Sequence, residues 1–464
     1  MVRGNSGSAP HVFLLAYPAH GHINPMLQLA CRLSCSSSLS VMFISAEDAI
    51  TSILESGEAP KLPNLHFESF PSCTLTKGSS IDDHLAGVRR ESSSCLCSLM
   101  KKHIPTCIIY DFSMPWVLEI TRPLGIFSAS FFTQSSTVYA LYYLHYHGQV
   151  SDKALLELGS LDFHDFPSPL QPTNKHPALT PLLLDRFTNC SEPTWVLVNS
   201  FDELESEAVK FMFPRRALMT LGPLLHPAYF HRHGDQTSIC NGGRVKECIE
   251  WLDGKERGSV VYVSFGSILG LSDEQMEELA WGLKDSKRPF LWVAKTPKDK
   301  IEGHGGNRVP DGFREEAGEQ GLVVPWCPQL EVLNHPAIGC FVSHCGWNST
   351  LESLCMGVPM VAIPQWLDQP TNAKLVDDVW RVGVRPMADQ RGLVSREELQ
   401  RCLSAVMHGE GKEGRSEARA SASQWRERAR AAIGESGSSS RNFEELVSKI
   451  HGRRSVVQAE ALFG

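Results

Sequence analysis

Short apolar runs alternate with longer amphipathic stretches along the whole chain. The pattern predicts strands at 12–16, 41–45, 107–110, 127–132 and 195–198, and again at 260–264, 290–293, 322–325, 339–342 and 359–363. These runs are rich in Val, Ile and Phe and lack two-residue alternation, as expected of strands buried on both faces of parallel sheets. Helical periodicity covers 24–35, 273–284, 349–356, 395–406 and 416–432, and Ser272-Asp273-Glu274-Gln275 has the make-up of a helix cap. Strands alternating with helices imply βαβ units. The stretch 226–245 is polar, Gly-containing and poorly periodic, so an interdomain linker is expected there. Loops are expected at 74–94, 165–180 and 297–310, the Pro-rich middle one able to cover a pocket.

With 464 residues the chain has room for two domains or more. A net charge of −8 argues against nucleic acid as a partner. The sequence contains no 18-residue apolar run for a membrane span, and the apolar start at His11 is too short and poorly flanked for a signal peptide. The 14 cysteines form no Cys-x-x-Cys pair, which speaks against zinc and against a disulfide framework, and for reduced thiols in the cytoplasm.

The chemistry concentrates in residues 326–369. A strand ends in Ser343-His344-Cys345-Gly346, and a helix starts at Trp347-Asn348-Ser349-Thr350. Helix N-termini present unpaired N–H groups and partial positive charge to anions, and Gly346 lets a ligand approach the backbone. Alone, such a start is most often just a capped helix. Here His344 adds a donor, and Glu352 follows Asn348 by four residues on the same helix face. Asp368 and Gln369 follow a strand, at the edge where open α/β sheets bind ligands. All 44 positions of this tract resemble the signature box of plant secondary-product glycosyltransferases, which use UDP-sugars.

The resemblance implies a GT-B fold, an α/β arrangement of two doubly wound Rossmann-like domains facing a cleft. It implies an acceptor-binding domain over 1–235, a UDP-sugar domain over 236–440, and a segment 441–464 that packs back on the first. Trp326 would stack on uracil, with Cys327 and Gln329 beside the nucleoside. Glu352 would hold the ribose hydroxyls. His344, Gly346, Trp347, Asn348 and Ser349 would hold the diphosphate. Asp368 and Gln369 would fork onto the sugar, and a Gln at that place usually goes with glucose. Ser267, in a Gly-Ser turn at a strand end, would donate to a phosphate, Thr133 would reach the donor sugar, and Gln134 and Trp366 would touch the acceptor.

A second constellation lies near the N-terminus, where the first strand ends in Tyr17-Pro18-Ala19-His20-Gly21-His22-Ile23-Asn24-Pro25. A lone histidine there is most often a turn cap. Gly21-His22 with Pro25 matches the family's catalytic Gly-His-x-x-Pro motif, which makes His22 the general base, while His20 does not align. Asp111, directly after the strand 107–110, would orient and stabilise it.

The expected reaction is inverting transfer, most readily of glucose from UDP-glucose, to a hydroxyl or carboxyl of a small phenolic, acidic or terpenoid acceptor. The wording SFGSILGLSDEQMEELAWGLK is closest to that branch, although Leu269 and Gly270 depart from the common pattern. With no Asp-x-Asp in the sequence, neither metal nor cofactor is expected; the protein is expected to be a monomer. A UDP-sugar-binding pseudoenzyme or regulatory subunit, or a transferase of another sugar, remains the alternative. A nicotinamide oxidoreductase would place Gly-x-Gly-x-x-Gly where this chain has AHGHINP.

Overall fold

The computed structural model describes residues 11–35, 39–56, 62–73, 81–174, 177–188, 195–230, 243–266, 270–294, 308–407 and 417–452. The chain divides into two compact units. The first comprises Met1–Gln149, His176–His226 and Ile433–Gly464, and the second Val150–Lys175 and Pro227–Ala432.

The first unit is built on seven parallel strands: β1 (His11–Leu15), β2 (Ser40–Ala46), β3 (Leu65–Phe70), β4 (Cys107–Asp111), β5 (Phe127–Phe132), β6 (Trp195–Val198) and β7 (Leu218–Thr220). Their spatial order is β3-β2-β1-β4-β5-β6-β7. Successive residues of β1 feed opposite faces, with Val12 and Leu14 in one buried cluster and Phe13 and Leu15 in the other. Helices cover both faces, so β4 and β5 are buried at every position and show no apolar-polar alternation along one exposed face. The helix Ser438–Gly452 closes this unit. Leu446 and Ile450 are fully buried beside Val12 and Leu14, and Asn442 donates to the Thr220 carbonyl at 2.9 Å.

The second unit carries β8 (Val260–Ser264), β9 (Phe290–Val293), β10 (Gly321–Val324), β11 (Ile338–Ser343), β12 (Met360–Ala362) and β13 (Gly383–Val384), in the order β10-β9-β8-β11-β12-β13. Both sheets are therefore doubly wound, with the direction of winding reversing between β1 and β4 and between β8 and β11. At such reversals the loops leaving the carboxyl ends of two adjacent strands splay apart and leave a crevice.

Several expectations need correction. The loop expected over 74–94 is helix from Ile81 to Lys102. Three consecutive serines hide its periodicity, but Asp82 and Asp83 open it and Lys101 and Lys102 close it, complementing the helix dipole. Val88, Leu96, Leu99 and Met100 form its buried side. The segment 165–180 holds short 3-10 turns at Phe163–Asp165 and Ser168–Leu170 and the start of a helix, Leu179–Asp185. Most of the expected linker and of the loop 297–310 lies outside the described residues.

Candidate active site

In the first unit β1 runs into Tyr17-Pro18, and a helix starts at His20. Ala19 caps it, its carbonyl accepting the N–H groups of His22 at 2.8 Å and Ile23 at 2.9 Å. Pro25 sits inside this helix, where it cannot donate to a carbonyl four residues back. His22 thus lies in the first turn, directly across from the end of β4. Its Nδ1 is 2.7 Å from Asp111 Oδ2. Asp111 is 1% exposed. Burial pushes that carboxyl up, but adjacent His22 and hydrogen bonds from His22 and Ser113 outweigh burial and hold it below its ordinary range. With Nδ1–H donating to Asp111, the lone pair of His22 resides on Nε2. Thr133, just beyond β5, brings its hydroxyl to 3.4 Å from the same Nδ1. Gln134 follows, partly buried, ahead of Ser135, which caps the helix Ser136–Tyr146.

Sequence reasoning missed the surroundings of this pair. The Tyr17 ring lies 5.4 Å from His22, and His84 lies 6.4 Å beyond it. Phe112, next to Asp111, packs on Phe132 at 5.2 Å and on Phe187 at 4.9 Å. Arg186 belongs to the same surroundings: burial lowers its pKa, and the charges of Asp111, Tyr142 and Tyr17 raise it. No local signal marks Arg186 or Phe187, which reach the pair from a helix end far along the chain.

In the second unit the residues singled out in the sequence follow β10, β11 and β12. Cys345 takes a left-handed φ of 61°, and Gly346 caps the helix Trp347–Met356. The imidazole of His344 fills the space between two glycines: a Cβ would lie 2.9 Å from His344 Nε2 at Gly266 and 2.6 Å at Gly346. Glycine is needed at both for the ring itself, beyond any approach by a ligand. Burial pushes His344 down to about 4, so it is a neutral donor or acceptor at neutral pH. Gln329 Nε2 donates to Ser349 Oγ at 2.9 Å and to Glu352 Oε2 at 2.7 Å, and Tyr262 donates to Gln329 Oε1 at 3.0 Å. Glu352 keeps some exposure, yet burial pushes its carboxyl up to about 7, against the lowering effect of Gln329.

Trp326 presents a ring that is 50% exposed, unusual for so large an apolar group. The Cys327 thiol is buried against the Tyr262 hydroxyl, and the Trp347 ring is buried against Trp380, so both can reach a ligand only through their backbone. Asn348 is partly buried in the first helical turn. Asp368 and Gln369 are each 6% exposed. Asn372, missed from the sequence, ties Asp368 Oδ2 (2.6 Å) to the Cys345 carbonyl (2.9 Å), linking the Asp368-Gln369 loop to the turn after β11. Trp366 lies in that loop, partly buried. Ser267 lies outside the described residues.

Among the described residues no group of His, Cys, Asp or Glu is placed to hold a metal ion, and no helix is long and apolar enough to cross a membrane.

These features sit in a recognisable sequence context. The family described as UDP-glucoronosyl and UDP-glucosyl transferase matches residues 238–414. UDP-glycosyltransferase 74D1 of Arabidopsis thaliana is 39% identical over 458 residues, which span 95% of this chain and 98% of that protein. Phloretin 4'-O-glucosyltransferase of Malus domestica is 37% identical, covering 95% of this chain and 98% of its own length. The crystal structure of Os79 from O. sativa in complex with UDP superposes with a TM-score of 0.82 at 30% identity, covering 95% of this chain and all of that one. The chain belongs to the plant family 1 UDP-glycosyltransferases, enzymes of GT-B fold that transfer a sugar from a UDP-sugar to a small-molecule acceptor. Enzyme therefore stands over the binding-only alternative.

Proposed function

We propose that the enzyme transfers glucose, with inversion and without a metal ion, from UDP-glucose to a hydroxyl or carboxyl of a small lipophilic acceptor. The observation that carries this reading is the 2.7 Å contact between His22 Nδ1 and buried Asp111 at the reversal point of the first sheet. It leaves Nε2 as the base. Nε2 takes the acceptor proton while the acceptor oxygen attacks the anomeric carbon. The bond from that carbon to the diphosphate breaks, and its electron pair leaves on UDP. The imidazolium that forms faces Asp111, which stabilises it without taking the proton.

The remaining roles are assigned from the same reading. Trp326 stacks on the base, while Gln329 and the Cys327 backbone lie beside the nucleoside. Glu352 accepts from the ribose. His344, Ser349, Asn348, Ser267 and the backbone at Gly346 and Trp347 hold the diphosphate. The charge on the leaving group is met by N–H groups at a helix start and by a neutral imidazole, which leaves a metal no required part. Asp368, Gln369 and Thr133 hold the sugar, and Gln134 and Trp366 border the acceptor.

The test compares wild type with His22→Ala and Asp111→Asn, using UDP-glucose and phenolic, carboxylic and terpenoid acceptors, with and without chelator. General-base loss costs roughly 10²–10⁴-fold, so kcat/KM on phenols drops by that order in His22→Ala while UDP affinity stays. Carboxylate acceptors, ionised already, lose less. Chelator has no effect. Full activity of His22→Ala on phenols removes the base from the reading, and preference for UDP-galactose or UDP-glucuronate removes glucose.

A further inference from the structure

The turn Ser168–Leu170 comes from the first half of the chain but packs within the second unit, against the loop that precedes Asp368 and Gln369. Ser168 makes a reciprocal pair of bonds with one residue of that loop. Its N–H donates to the Leu367 carbonyl at 2.8 Å, and its hydroxyl oxygen accepts the Leu367 N–H at 2.8 Å. Leu367 holds a φ of 52°, a left-handed conformation that a branched side chain does not adopt unaided. Both polar groups of this strained residue are thus bonded to a single partner.

The turn is itself anchored. Asp165, 4% exposed, receives Arg385 Nη1 at 3.1 Å and lies 3.7 Å from Lys374 Nζ. Its backbone carbonyl accepts the Thr371 hydroxyl at 2.6 Å. On the far side of Leu367, Gln369 Oε1 accepts the N–H groups of Gln365 at 2.8 Å and Trp366 at 3.1 Å. That fixes which end of the amide turns inward and leaves Nε2 as its donor end. Leu367 is the hinge between these two sets of bonds.

We propose that Ser168 is a positioning residue for sugar recognition: by clamping Leu367 it aims Asp368 and Gln369, and so sets discrimination among UDP-sugars. The proposal rests on the reading that those two residues hold the sugar. In this reading Ser168 acts through Leu367, and the residues assigned to UDP lie on other loops. Its loss is therefore expected to act on the sugar and spare the nucleotide.

The test measures kcat and KM for UDP-glucose and UDP-galactose, and the inhibition constant of UDP, for Ser168→Ala, Ser168→Thr and Gln369→Ala. Losing one partner of this partly buried bond is expected to be worth up to about tenfold. Ser168→Ala is expected to lower kcat/KM for UDP-glucose by about that factor, to narrow the preference over UDP-galactose, and to leave the UDP constant within about twofold. Ser168→Thr, which keeps the hydroxyl, restores the wild-type values. Should Gln369→Ala change the sugar preference while Ser168→Ala does not, the clamp is refuted and the sugar site stands. Equal losses for UDP and UDP-glucose in Ser168→Ala reduce the contact to general scaffolding and also overturn it. An unchanged sugar preference in Gln369→Ala removes the underlying site and the proposal together.

Discussion

Burial drives Glu352 and His344 the same way, toward their uncharged forms. Glu352 rises from its ordinary 4.5 to about 7, and His344 falls from 6.5 to about 4. The signs for stability differ. Folded Glu352 keeps a proton that the unfolded chain releases, so its contribution shrinks as pH rises from about 4.5 to about 7 and is gone above that. Folded His344 resists a proton that the unfolded chain takes up, so its cost grows as pH falls from 6.5 toward about 4. The two windows overlap and oppose each other, which makes a melting curve a poor reporter. Proton release on binding is cleaner. If ribose hydroxyls donate to an ionised Glu352, UDP binding near pH 6 expels up to about one proton from that group. Calorimetry in buffers of different ionisation enthalpy is expected to register that release, and less of it in Glu352→Gln. Equal release in both proteins would separate Glu352 from the ribose.

Elements buried on both faces were the legible ones. β5, β6, β8 and β9 begin and end at the residues expected, because short runs rich in Val, Phe, Trp and Leu without alternation mark strands covered on both faces. β3 was missed because His66, Glu68 and Ser69 are exposed in this edge strand and break the apolar run, and β7 and β13 because three and two residues carry no pattern. The strand-to-helix turns bearing His22 and His344 were legible too, since short fixed spacings identify them. Tyr262, Asn372 and Ser168 were not, because each acts through a partner brought close only by folding. The turn after β11 yields a prediction of its own. Gly346→Ala places a Cβ 2.6 Å from His344 Nε2, so the imidazole or the helix start must shift. UDP affinity is expected to fall at least about tenfold, with the far-ultraviolet circular dichroism unchanged. Retained affinity in calorimetry would mean that the ring can move without cost to the diphosphate.

Across the whole molecule, chain order and unit membership disagree. Val150–Lys175 belongs to the second unit although its flanks belong to the first. Hydrogen exchange checks this: UDP at about 100 times its Kd stabilises the unit that binds it by about 2.7 kcal/mol, and 162–171 is expected to gain protection along with 338–369. Protection confined to 338–369 would count against their unity. The return of the helix Ser438–Gly452 to the first unit has a consequence in time. That helix emerges about 220 residues after β7 ends at Thr220. At ~5–20 residues per second the gap is roughly 10–45 s. For that interval on the ribosome the face around Val12, Leu14 and Trp195 lacks the share of its cover that Leu446 and Ile450 supply. The unit that is begun first is completed only after the second has been made, and its early sheet must wait, sticky and incomplete, for a helix encoded beyond the whole of the other unit.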